Sequence, residues 1–160
     1  MRFSNVIHVK KIKNNFLEPP QQQLANLLEH YKAGRYIDAE KLSLSITKEF
    51  PKHQFAWKVL GALLKQNGRI DESLVVSKKS LQLNPQDAEA HNNLGVLLQD
   101  KEKLKEAETS FRKAIKLKPN YAEAYSNLGS TLQKQERLKE AETNFRKAIT
   151  LKSDYAEAYS

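Results

Sequence analysis

The chain contains no cysteine. Disulfide frameworks, thiolate nucleophiles and cysteine-held metals are therefore excluded. The absence fits a reducing compartment, and the chain is expected to be cytoplasmic. Glycine and proline are scarce, with five of each in 160 residues, as expected of a helical protein poor in turns. Apolar runs are only a few residues long, far short of the ~20 needed to span a bilayer, so no membrane insertion is expected. A hydrophobic share of 39% and a charged share of 29% suit a folded, water-exposed chain.

Sites for chemistry are equally scarce. The four histidines, His8, His30, His53 and His91, form no H-E-x-x-H or comparable ligand pair. No metal site, catalytic residue or cofactor is expected. The glycines Gly34, Gly61, Gly68, Gly95 and Gly129 are all used by a periodic pattern, leaving none for a phosphate-cradling loop. Glutamates alternate with lysines along predicted helix surfaces and read as a solvated face. The net charge is +8, but half of it lies in residues 1–53, with nine basic and five acidic side chains. No basic run interleaved with aromatics marks a nucleic-acid face, and specific nucleic-acid binding is not expected.

Self-similarity is what the sequence does contain. Residues 88–121 and 122–155 share 23 of 34 positions without a gap. The period extends backward more weakly. Trp57, His91, Tyr125 and Tyr159 share one column, followed by columns of Leu60, Leu94, Leu128 and of Gly61, Gly95, Gly129. Pro51, Pro85 and Pro119 close three units, and Ser153 takes the fourth place. Each unit is expected to hold two helices, roughly 88–100 and 104–117 in the third. Leu104, Ala107, Phe111, Ala114 and Ile115 mark one helical face of the second. Glycine inside a helix costs about 1 kcal/mol against alanine. A recurrent glycine therefore implies a close helix crossing, opposite Ala39, Ala107 and Ala141, with Phe111 and Phe145 filling the space beyond it. Ser73, Ser77 and Ser80 replace alanine, aromatic and alanine in the second unit, predicting looser packing there.

W-x-x-L-G at Trp57–Gly61, A-x-x-x-F at Ala107–Phe111 and the following Pro119 resemble the tetratricopeptide-repeat signature. The resemblance covers about 20–155. It implies an all-α fold, a right-handed superhelical α-solenoid of stacked antiparallel helix pairs with first helices on the concave face. The expected organisation is a basic leader at 1–19, more mobile than the array, a divergent repeat at 20–53, and repeats at 54–87, 88–121 and 122–155. Residues 156–160 read as the start of a fifth repeat, so the chain is expected to be the front of a longer protein.

In this family the groove-facing positions lie on the first helices. They map here to Lys58, Lys65, Asn92, Asn93, Gln99, Asn127 and Gln133. Amides both donate and accept, so they can pair with a peptide backbone without reading its sequence. Asn93 and Asn127 each precede Leu-Gly, resembling the asparagine ladder in the repeats of O-linked N-acetylglucosamine transferase-like proteins. A carboxylate clamp is disfavoured, because Ala62, Glu123 and Asn127 stand where it would want other residues. The expected function is a scaffold that binds a peptide segment or partner helix. The alternatives are the substrate-recruiting region of a larger glycosyltransferase- or sulfotransferase-type enzyme, or a self-assembly module. A homodimer through the C-terminal end, where the face of Leu138, Ala141, Phe145, Ala148 and Ile149 lacks a covering helix, is also expected.

Overall fold

The computed structural model describes residues 18–158, and side chains as far as 153. Among the described residues there are eight α-helices and no strand. They fall into two compact units divided between Asn84 and Pro85. The first unit holds α1 (Gln21–Lys32), α2 (Tyr36–Glu49), α3 (Gln54–Gln66) and α4 (Ile70–Leu83). The second holds α5 (Ala88–Asp100), α6 (Leu104–Leu117), α7 (Ala122–Lys134) and α8 (Leu138–Ala158). Within each unit every helix packs on the next, and α5 also meets α7. This is the helix-pair architecture expected from the period. Most of the expected leader lies outside the described residues. Its end is described: Pro19 is buried, and the exposed Glu18 carboxylate lies 3.4 Å from His53 Nε2.

The turns between paired helices need one left-handed residue each. Gly34 and Gly68 supply it with φ of 72° and 73°, and Glu102 and Glu136 take the same conformation at 57° and 63°. Glycine adopts it without steric cost. The first unit's core gathers Leu27, Ala39, Ile46, Phe50, Ala56, Val59 and Leu63. In the second, Ala107, Phe111, Ala114, Leu128 and Leu132 are fully buried or nearly so.

The glycine column does mark the close crossings. A Cβ built on Gly95 would lie 2.5–2.8 Å from three ring atoms of Phe111, and one on Gly129 would lie 2.8 Å from Phe145. The phenyl ring therefore sits on the glycine itself, not in a wider space beyond the crossing. In the first repeat the sizes are exchanged: Leu27 occupies the glycine column and Ser43 the phenylalanine column, and both are fully buried. The second repeat has two small residues, Gly61 and Ser77. There a Cβ on Gly61 would meet only Ser77 Oγ closer than 3.0 Å, at 2.9 Å. The three serines of α4 do not simply loosen it. Buried Ser73 Oγ donates to the Gly61 carbonyl at 2.7 Å, and Ser80 Oγ accepts from Gln54 Nε2 at 2.9 Å.

One boundary differs from expectation. The helix α8 runs unbroken from Leu138 to Ala158, across the place where a turn and a fifth repeat were expected. Proline at the matching position of the earlier units cannot continue a helix. Ser153 can, and its Oγ donates to the Ile149 carbonyl at 3.1 Å.

Ion clusters tie successive second helices within each unit. Arg69 bridges Glu40 of α2 and Glu72 of α4. Arg137 likewise joins Glu108 of α6 to Glu140 of α8, each at 2.7 Å, with Arg112 2.8 Å from Glu108. Burial pushes the Glu108 carboxyl upward, but bonds from Arg112 and Arg137 outweigh it and hold it below the usual value. Arg69 and Arg137 do the same for Glu72 and Glu140. A carboxylate with a depressed folded-state pKa adds stability above its unfolded value, and that stability is lost as the pH falls through the folded value. The urea midpoint should therefore hold steady down to about pH 4.3 and decline below it. The Arg137→Gln variant should show a shallower decline, measured as midpoint against pH.

Candidate peptide-binding face

The predicted site residues divide between the units, and each set stands within its own. In the first unit Lys58 and Lys65 lie on α3, both half-buried. In the second, Asn92, Asn93 and Gln99 lie on α5 and Asn127 and Gln133 on α7. Because α5 and α7 meet directly, their facing side chains form one strip.

The structure brings some of these amides together. Asn92 is fully buried. Its Nδ2 donates to Glu123 Oε1 at 3.1 Å, and its Oδ1 accepts from Asn127 Nδ2 at 3.0 Å. Gln99 Nε2 donates to Ser130 Oγ at 3.2 Å. These groups join the two first helices and satisfy amides that burial would otherwise leave costly. Asn93 and Gln133 are instead exposed. Asn127 is half-buried, and its Nδ2 is engaged by Asn92.

Sequence columns missed Tyr121 and Ser130, and placed Glu123 in the groove only as a residue that disfavours a carboxylate clamp. Tyr121 is half-buried, and burial, followed by the charges of Glu123 and Glu89, pushes its hydroxyl up to about 12 against a hydrogen bond from Asn92. Lys118 Nζ lies 4.8 Å from the centre of the Tyr121 ring. The missing signal was the offset. Asn92 with Glu123 and Gln99 with Ser130 are both 31 residues apart, whereas the columns compare residues 34 apart. The strip is thus a hydrogen-bonded polar surface with acidic neighbours. It has amide groups to offer a main chain.

Comparison with known proteins agrees with this architecture. Residues 86–154 match a family model described as tetratricopeptide repeat, and 61–101 match a second described as TPR repeat. Together they run from 61 to 154, more than half of the chain. Among solved structures, MamA superposes with a TM-score of 0.79 at 20% identity, covering 94% of this chain and 86% of that one. MamA 41-end from Desulfovibrio magneticus RS-1 gives 0.76 at 24% identity, covering 85% and 77%. YrrB, described as a TPR protein with an unusual peptide-binding site, gives 0.73 at 22% identity, covering 84% and 69%. At these identities the likeness is one of fold. No curated protein sequence matches the chain.

Proposed function

Since this chain belongs to the tetratricopeptide-repeat family through residues 61–154, we propose that it is a non-catalytic, cytoplasmic scaffold that holds an extended peptide segment on its first helices. The observation that supports this most directly is the strip on α5 and α7. There Asn92 locks Asn127 and Glu123 in place while Asn93 stays exposed. A fixed amide beside a free one can hold a main chain at two points without selecting side chains, as in the transferase-like asparagine ladder. Glu89 and Glu123 add negative charge, so a segment with a basic residue is favoured.

The test separates binding from support. An array of extended synthetic peptides supplies a binder, and titration calorimetry compares variants against it. Asn93→Ala should weaken binding by about 0.5–1.5 kcal/mol, one hydrogen bond's worth, with unchanged helix content and unfolding midpoint. Adding Asn127→Ala should weaken it further and also lower the midpoint, because Asn92 then loses a buried partner. Unchanged affinity in both variants would place peptide binding elsewhere.

A self-assembly reading has its own observation. Leu138 and Ile149 of α8 are 64% and 65% exposed. Association of two copies through this helix would appear as concentration-dependent mass in sedimentation equilibrium and vanish in Ile149→Lys.

A further inference from the structure

The second-helix side of the first unit carries an apolar groove of about 530 Å³ between α2 and α4, with α3 as its floor. Leu44, Trp57, Leu60, Leu64, Val75 and Val76 line it. Two of these side chains are unusually open, Leu44 at 49% and Val75 at 70% exposure. Isolated exposed apolar residues need no explanation, but a contiguous lined cleft does.

The chain provides its own control. Sixty-eight residues on, two repeats later, the second unit has the same helix arrangement with different contents. Arg112 stands in the place of Leu44, Thr143 in that of Val75 and Asn144 in that of Val76. Arg112 reaches across from α6 towards α8, 2.8 Å from Glu108 and 3.6 Å from Glu140. The position is thus bridged by ions in one unit and left open and greasy in the other. The fold does not require the groove to be apolar.

Charge around the groove narrows its occupant. At one end Arg69 is paired with both Glu40 and Glu72, one guanidinium against two carboxylates, which leaves one negative charge in excess. Lys48, which also lines the groove, has no acidic partner among the described residues. An occupant therefore meets an apolar trough with the positive charge of Lys48 at its edge and an excess acid at the Arg69 end. Residues 1–17 of the chain carry Arg2, Lys10, Lys11 and Lys13 and no acid, the wrong sign for this edge. The groove runs between two helices over a third, the setting in which a further helix packs.

We propose that this groove is a second docking site, distinct from the first-helix strip, and that it takes an amphipathic helix of a partner protein bearing an apolar stripe and an acidic side chain set against Lys48.

Trp57 is the only tryptophan in the chain and lies in the groove, so its emission reports occupancy directly. The probe is a synthetic amphipathic helix with leucines along one face and glutamates at one end, with a twin carrying lysines in place of the glutamates. The glutamate peptide should shift Trp57 emission and bind the full chain more tightly than its twin. Leu44→Arg with Val75→Thr, which installs the second unit's residues at exposed positions, should weaken binding about tenfold or more with an unchanged helical spectrum. Lys48→Glu should reverse the preference between the peptides. No emission change at saturating peptide, or equal affinity in the Leu44→Arg/Val75→Thr variant, would overturn the proposal. So would two other outcomes. A concentration-dependent dimer abolished by Leu44→Arg would make a second copy the occupant. A Trp57 shift caused by Phe3→Ser with Ile7→Ser, without peptide, would make it the chain's own N-terminal segment.

Discussion

Replacing Gly95 by leucine should cost the second unit stability at the upper end of the about 1–3 kcal/mol typical of overpacking, or beyond it. A Cβ alone would stand 2.5 Å from Phe111 Cε1, and the Phe111 ring is fully buried and has nowhere to go. Helix propensity acts in the opposite direction, favouring leucine over glycine by somewhat under 1 kcal/mol, so any net loss measures the clash. Val96→Ser, at the next and only half-buried position, should cost about 1 kcal/mol. Equal thermal midpoints for the two variants would refute the close crossing. Alanine substitutions should be graded by what each new Cβ meets. Gly95→Ala should lose most. Gly129→Ala should lose less, because Phe145 is half-buried and can yield. Gly61→Ala should be neutral or stabilising, since Ser77 Oγ can rotate away.

Phe111→Ala should be the most damaging single truncation, at about 3–5 kcal/mol. The ring is fully buried and rests on the bare backbone of Gly95, which has no side chain to move into the hole. The same change at half-buried Phe145 should cost distinctly less. The two positions of the crossing must also be coupled. Gly95→Leu combined with Phe111→Ala places a side chain in the vacated volume, and the double variant should be more stable than the sum of the single losses predicts. Direct contacts show coupling of about 0.5–3 kcal/mol in such cycles. Strict additivity in urea unfolding would mean that Phe111 does not fill the Gly95 crossing.

Helix ends and core columns were legible because they follow from local rules. The predicted helices at 88–100 and 104–117 are the observed α5 and α6, set by apolar spacing and by Pro119 after the second. The failures have a common origin in reading columns one at a time. A column shows that Leu27 departs from glycine, but not that Ser43 compensates for it on the partner helix. It aligns Asn93 with Asn127, yet Asn127 bonds to Asn92, because stacked helices meet through adjacent faces and not through equivalent residues. It placed Asn92 on the open face, whereas the amide is fully buried. At Ser153 the column supplied a turn that only proline enforces, and α8 continues through it.

The polar links between neighbouring helix pairs also bear on how the chain reaches this fold. Arg69 to Glu40 spans 29 residues, Asn92 to Glu123 spans 31 and Asn127 to Asn92 spans 35. Each is therefore made by closing a loop about one repeat long, and closure entropy rises only slowly with loop length. Folding speed falls as contacts grow more distant in sequence, and here every such link is short-range relative to 160 residues. A nucleus formed in α5 and α6 can extend to α7 and then α8 one closure at a time. Either unit can thus acquire its structure progressively as the chain leaves the ribosome, without waiting for its far end to be made.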